Sequence, residues 1–530
     1  MPERTMTRRD ALAFSAGLIA APALLPRGAR AADPKRLIGV IEEDPPFFNP
    51  AVSSGISSFV AGCPCYSALT RMDIDGNITG DLAERWDVAP DGRAYTFHLR
   101  QGVTWHDGRP FSSADVAFSL GQINGKLHPY RGALKAITAF ETPDEHTVVL
   151  RLEQPQGSLI KTLGNFCSAI LPKHIWEGAD AARDPHNLAP VGTGPFKFVE
   201  FVPGDRIRYV RNERYFLPGR PAFDELIYRI IPDPAARIAA FQKGEVDLLY
   251  ASAIPATEVA RLRRMRGVEL KFSKVQTAAY MAYINMREKP YSDVRVRRAL
   301  AHAIDRTFIR NSVFPGLSEN MVGPVPPTSP LANKALADYA LNPARANALL
   351  DEAGFPRGPD GTRFPLRYLF GGNDLPARKI GEIMAQNLAA VGIRVVLTPL
   401  DRGTLIERAY VNNAYDMVIS SFSLGPDPDV GVERFYNSNN IFPIQAVNNS
   451  PYVNAEVDRL FAEQRVQTDD AKRKAIYDRI QEIVWADIPV FPFCAYTLPG
   501  AARSTYASGV YDKVEASNRE DFVFVSPAGA

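Results

Sequence analysis

The sequence predicts an α/β protein with more than one lobe, and three observations carry that expectation. Residues 365–397 read as strand, helix, strand, a βαβ unit and hence a piece of parallel sheet. Between residues 67 and 107, short alternating runs are punctuated by Asp75-Gly76, Asp91-Gly92 and Asp107-Gly108. Such pairs supply the positive φ of tight turns, so a small β meander lies ahead of the βαβ unit. At 530 residues, 46% hydrophobic and 23% charged, the chain is globular in composition and long enough to argue for several lobes.

The first 31 residues differ in kind. Thr7-Arg8-Arg9-Asp10 leads into a small-residue apolar run over 11–25, then Pro26 and Ala29-Arg30-Ala31. This reads as an export signal, residues 1–31, cut after Ala31. The Arg8-Arg9 pair resembles a twin-arginine signal with Ala11 in place of the usual aromatic, and a Sec route is the alternative. The run is too short to span a membrane and no second apolar run of about 18 residues follows, so the mature chain is expected to be soluble. Val60-Ala61-Gly62-Cys63 has the look of a lipoprotein site, but no apolar run precedes it. Removing the signal takes away five arginines and two acids. A net charge of about −1 with no basic block then excludes a nucleic-acid footprint.

Four cysteines in an exported chain permit disulfides. A Cys63–Cys65 bridge would close a strained ring, so pairing of one of them with Cys167 or Cys494 is favoured, and the spacing does not choose between these. Cys63-Pro64-Cys65 lacks the partners of a zinc site. His98, His106, His128, His146, His174, His186 and His302 do not cluster at ligand spacing. No metal or other cofactor is expected.

The stretch "AYTFHLRQGVTWHDGRPFSSADV" (94–116) holds two histidines, two aspartates and a tryptophan, and so raises the question of catalysis. Tyr95, Phe97 and Leu99 alternate with Thr96, His98 and Arg100, which turns His98 to the polar face of a strand. His106-Asp107-Gly108 reads as the following turn. Ser112 with Asp115 is a capping-box variant, and Val116, Leu120 and Ile123 form the buried stripe of the helix it starts. Every polar residue has a structural task, and no nucleophile or metal partner follows. Val191-Gly192-Thr193-Gly194-Pro195 is followed by strand-like alternation where a dinucleotide fingerprint needs a helix, so it reads as a structural loop.

Beyond it, 293–310 is helical in period, 315–330 is a Pro-rich connector, and 342–354 is a helix ending at Gly354. A strand at 365–369, a helix at 375–391 and a buried strand at 393–397 make the βαβ unit. A strand follows at 416–420, helices at 454–467 and 470–486, and strands at 490–496 and 522–525.

These residues carry a resemblance. "DLAERWDVAPDGRAYTFHLRQGVTWHDGRPFSSADVAFSL" (81–120), "PVGTGPFKF" (190–198), "YSDVRVRRALAHAIDR" (291–306) and "ARKIGEIMAQNLAAVGIRVVL" (377–397) resemble the extracytoplasmic solute-binding proteins of family 5. That family includes the dipeptide, oligopeptide, opine and nickel receptors of ABC importers. The resemblance spans essentially the whole mature chain. It implies a two-lobed periplasmic-binding-protein fold (type II, cluster C) with an extra β-rich subdomain in lobe one. Lobe one would comprise 33–70, 191–278 and 490–530, the subdomain 71–190 and lobe two 279–489. The crossings near 279–286 and 488–493 would be the hinge.

The implied function is a periplasmic receptor that closes its lobes over a peptide or an opine-like solute and delivers it to a permease with a cytoplasmic ATPase. No bond chemistry, nucleic acid or oligomer is implied. Two other classes are weighed: a ligand-presenting sensor or chaperone of the same fold, and an exported hydrolase, which lacks any Ser/His/Asp or zinc spacing.

Peptide receptors hold the ligand as an added strand between an acidic and a basic anchor. Aligned by eye, the acidic anchor falls in 420–425, where this chain has Leu424, and the basic one near Gly371. Asp427 and Asp429 either turn inward or belong to a Pro-punctuated turn. Arg402 stands where relatives place a pocket tryptophan; either it meets an anionic ligand or it is a surface arginine after Leu400. Ser54, Gly55, Tyr280, Tyr283, Phe422, Ser423 and Cys494 are the other expected wall residues.

Overall fold

The structure, a computed structural model, describes residues 35–506 apart from 53–55, 73–76, 129–130, 165–167, 182, 251–252, 273–277, 426 and 498. The export signal at 1–31, Asp75-Gly76, Cys167 and the strand expected at 522–525 lie outside the described residues.

The described residues open on β1 (Arg36–Ile41) and the antiparallel pair β2 (Thr70–Met72) and β3 (Ile78–Gly80). The expected meander follows as β4 (Ala83–Val88), β5 (Ala94–Leu99), β6 (Ile137–Asp144) and β7 (Thr147–Leu152), in the order β4-β5-β7-β6. Tyr95, Phe97 and Leu99 of β5 enter a core with Leu82, Trp105, Val116 and Leu150, as their alternation requires. His98 pairs with Asp87 at 2.9 Å on the polar side. Asp115 Oδ2 accepts the Ser112 backbone N–H at 2.9 Å and starts the helix Ser113–Phe118.

His106 does not stop at its own turn. Its backbone N–H donates to Gly192 O at 2.9 Å, its Nε2 lies 3.0 Å from Gly194 O, and Gly192 N–H donates to its Nδ1 at 3.3 Å. The 191–195 loop continues inward, where Gly194 N–H donates to Cys65 O at 2.8 Å. A Cβ on Gly192 would stand 1.8 Å from that oxygen. The glycines of "VGTG" therefore permit a close approach of two backbones, which is their structural reading.

β8 (Phe196–Val202), β9 (Arg206–Arg211) and β10 (Glu225–Ile230) return to β1 in the order β1-β10-β9-β8, with β1 and β10 parallel. β11 (Leu248–Leu249) and β12 (Val268–Lys271) follow. Then β13 (Ala278–Ile284), β14 (Ser318–Glu319), β15 (Phe364–Gly371), β16 (Ile393–Leu400), β17 (Met417–Ser423) and β18 (Val490–Tyr496) build one mixed sheet, ordered β14-β18-β13-β17-β15-β16. β19 (Gly500–Arg503) inserts between β11 and β12. The βαβ unit is β15, the helix Leu375–Ala389 and β16, with Phe364 opposite Ile393 in parallel register. Among the described residues no helix is long and apolar enough to cross a membrane.

Several expectations change. The helical stretch at 293–310 is two helices, Val294–Ala303 and Arg306–Val313, because Asp305 caps the second by accepting the Phe308 N–H at 2.8 Å. β16 is an edge strand with Arg394 and Val396 exposed, so it is not buried on both faces. Residues 490–496, grouped with lobe one, pair with β13 in the six-stranded sheet, so the chain leaves that sheet only after Tyr496. Cys65 and Cys494 are separate buried thiols, so no bridge joins them.

Burial lowers the His106 pKa from 6.5 to about 4, and the Gly192 N–H aimed at Nδ1 favours the neutral ring further. An unfolded chain takes up this proton as pH falls below 6.5, while the folded chain does so only near 4. The contribution is thus complete above pH 6.5 and is lost toward pH 4, at up to roughly 1.4 kcal/mol per pH unit. His106→Ala is expected to cost about 1–3 kcal/mol at pH 7 through the orphaned Gly192 and Gly194 groups. It should also flatten the acid slope, as urea unfolding at pH 7 and pH 5 will read.

Candidate functional site

In an open α/β sheet, the crevice beyond the carboxyl ends of the parallel strands is where ligands are bound. Here β15, β16 and β17 end at Gly371, Leu400 and Ser423 on one edge. Antiparallel β13 begins at that edge with Ala278, opposite both Ser423 and Tyr496, the last residue of β18.

Three aromatic rings gather there. Tyr280 lies 5.4 Å from both Phe314 and Tyr496, and Phe314 stacks on Tyr496 at 4.8 Å and 17°. Tyr280 OH donates to Asp374 Oδ1 at 2.9 Å, and the same oxygen accepts the Ala377 N–H at 2.9 Å, capping the helix Leu375–Ala389. Ser421 Oγ and Tyr496 OH are 2.7 Å apart.

The electrostatics follow from burial. Desolvation raises the Asp374 carboxyl against the opposing bonds from Ala377 and Tyr280. Among the described residues no cation pairs with it. Burial also raises both tyrosine hydroxyls, and Asp374 adds to each. Glu42, one residue past the end of β1, is close enough to act on Tyr496 in the same direction. The arrangement is a set of neutral donors and acceptors around one uncompensated carboxyl, with no nucleophile activated beside a base.

Of the expected wall residues, Tyr280 is in this cluster and Cys494 lies opposite it in the ladder, buried, its thiol pushed up to about 12 by desolvation. Ser54 and Gly55 lie outside the described residues. Tyr283, Phe422 and Leu424 face the other side of the sheet, packed with Tyr410 and Phe435. They are core, because Phe422 is opposite Ala279 while its neighbour Ser421 is opposite Tyr280. Ser423 is spent locally: its Oγ accepts the Gly425 N–H and its carbonyl accepts from Arg434.

Arg402 is exposed at the first position of the helix Arg402–Leu405, which Asp401 caps, so it is a surface arginine and not a buried wall. Asp427 and Asp429 are buried, but within the Pro-punctuated turn, where Asp427 caps the helix Pro428–Gly431. Asp374, Phe314, Ser421, Tyr496 and Glu42 were not anticipated. The period-2 alternation of "MVISSFS" could have separated Ser421 from Phe422; which of the two faces the crevice depends on the pairing register.

Comparison with known proteins agrees with this architecture. The family model for bacterial extracellular solute-binding proteins, family 5 Middle, matches residues 77–443. The chain is 30% identical over 537 residues to di/tripeptide-binding protein 2 of Pseudomonas aeruginosa, covering 95% of this chain and 97% of that one. It is 25% identical, at a TM-score of 0.80, to the periplasmic binding protein DppA from Helicobacter pylori in complex with the peptide STSA, covering 93% and 98%. It is 27% identical, at a TM-score of 0.80, to AgaA from A. tumefacien R10 in complex with agropinic acid, covering 93% and 99%.

Tyr280→Phe is expected to lose about 1 kcal/mol of stability through the missing bond to Asp374. Arg402→Ala should stay within about 0.5 kcal/mol of the parent, as substitutions at exposed surface positions do. Urea midpoints of the two variants beside the parent decide both.

Proposed function

Since the chain belongs to the bacterial extracellular solute-binding proteins of family 5, we infer that it is the periplasmic substrate-binding receptor of an ABC importer, capturing a peptide or an opine-like solute. Proteins of this family bind their ligands and hand them to importer permeases. The present chain is read in the same way: it binds and releases its solute unchanged, acts as a monomer, and meets a permease paired with a cytoplasmic ATPase.

The observation that carries the reading is the convergence at the carboxyl edge of β15, β16 and β17. Peptides and opines present amide groups, a carboxylate and an amine. The edge offers the Ser421 and Tyr496 hydroxyls for amides, the second oxygen of Asp374 for an amine or amide N–H, and the rings of Tyr280, Phe314 and Tyr496 as an apolar floor. Anion selection through Arg402 does not follow from its exposed position. The division into lobes is read with β13 and β17 in the second lobe and β1 and β10 in the first, and the two lobes close over the solute.

Mass spectrometry of small molecules released when the periplasmic protein is denatured will identify the solute. Titration calorimetry with that compound should show Tyr496→Ala weakening binding at least tenfold, or about 1.4 kcal/mol, and Arg402→Ala leaving it unchanged. Recovery of a chemically altered compound would overturn the receptor reading, and equal affinity in Tyr496→Ala would move the site elsewhere.

A further inference from the structure

Residues 156–163 belong to the antiparallel body. Leu159 and Leu163 pack in the core of β4, β5 and β7, and Leu163 O accepts the Thr70 N–H. Residues 427–477 belong to the body built on the six-stranded sheet, where Val432, Phe435, Phe461 and Tyr477 pack behind β13. Between the two, Lys161 Nζ lies 3.1 Å from Asp427 Oδ2, Ser158 Oγ donates to Asp429 Oδ2 at 2.5 Å, and Gly157 N–H donates to Arg465 O at 3.4 Å.

The two acids are buried, at 1% and 9% exposure, yet each keeps a cationic partner inside its own body. Arg473 grips Asp427 with two bonds of 2.6 and 3.0 Å. Gln464 and Arg465 hold Asp429 Oδ1 at 2.5 and 3.3 Å, and Arg465 also pairs with Glu433. Burial alone would raise the Asp427 carboxyl, but Arg473 and then Lys161 hold it down to about 2. Breaking a buried pair is costly when it strands a charge. Here parting the bodies strands none on the acidic side, and Lys161, about a third exposed, returns to water. Joining them adds one bond to each of two carboxylates that are already held in place by partners of their own body. A contact of that kind is reversible, and it shares no side chain with the cluster of Tyr280, Asp374 and Tyr496.

We propose that Lys161 and Ser158 form a closure latch, which holds the antiparallel subdomain against the second lobe and sets the population of the closed receptor without touching its solute. The inference rests on the receptor reading above, in which the lobes part and close. Because Asp427 and Asp429 keep Arg473, Gln464 and Arg465 when the latch opens, its strength is tuned at 158 and 161 and not at the acids.

The test is a distance measurement by pulsed electron resonance on full-length mature protein, spin-labelled at Asp91→Cys and Glu482→Cys in a Cys167→Ser background, without added solute. Lys161→Met should lower the closed-to-open ratio roughly tenfold, within the coupling range of neighbouring groups in one network. Ser158→Ala should lower it less, and Lys161→Arg should restore it. Urea midpoints show that each variant is folded. The same distance distribution in the parent and in Lys161→Met, whether short or long, overturns the latch.

A tryptic digest of casein separates this from the receptor reading. Shortening of the distance by the digest, with no effect of Lys161→Met, rejects the latch and retains a peptide receptor. A reduced closed population in Lys161→Met with no response to the digest supports the latch and counts against peptides as the solute.

Discussion

The structure depends on β13 being buried on both faces. Its residues alternate between two cores: Tyr280, Ala282 and Ile284 join Leu366, Ile380 and Phe491, while Ala279, Met281 and Tyr283 join Tyr410, Phe422 and Phe435. A strand with an apolar environment on each side must satisfy its backbone groups within the sheet. β13 does so by pairing antiparallel with β17 on one edge and β18 on the other. That double pairing brings residues from 278 to 496 to a single edge. Ser421 stands beside Tyr280 and Tyr496 ends level with Ala278, so the aromatic cluster is a consequence of the register.

The ionisable groups divide by what surrounds them. His106 is kept neutral by burial and serves as a bolt between the meander turn and the glycine loop at 191–195. Asp374 is raised by burial with only neutral donors about it. Asp427 is lowered, although more deeply buried than Asp374, because Arg473 faces it in a bidentate pair. Desolvation sets the sign for His106 and Asp374 against their hydrogen-bonding neighbours, and only at Asp427 does a charged partner outweigh it. Sequence composition does not separate the three cases, since each is an ordinary polar residue in a turn or beside a helix.

The stretch 94–116 illustrates how a cluster of reactive residue types can be wholly structural. His98 and Asp87 pair across neighbouring strands, Asp107 faces His174 at 2.7 Å while accepting the Arg109 N–H, and Asp115 caps a helix. Local periodicity and turn chemistry sufficed to assign most of these tasks. The exception is His106, whose partners Gly192 and Gly194 are more than 80 residues away.

By itself, the sequence determined what is encoded locally. The period of two in β5, the Gly-terminated helix Leu375–Ala389, the parallel pair β15 and β16, and the four family blocks each rest on residues within a few tens of positions of one another. They settled the fold class and the kind of protein. Only the tertiary structure assembled the candidate site, because its members come from six separate segments and their meeting depends on strand register. A shift of one residue in the β13–β17 pairing would exchange Ser421 for Phe422 at the crevice. For the same reason Tyr283, Phe422 and Leu424 became core, Arg402 went to the surface, and Asp374 and Tyr496 became legible only with the sheet assembled. Hydrophobic patterning says that a face is buried, whereas which residues share that face across a sheet is fixed by pairing between distant strands.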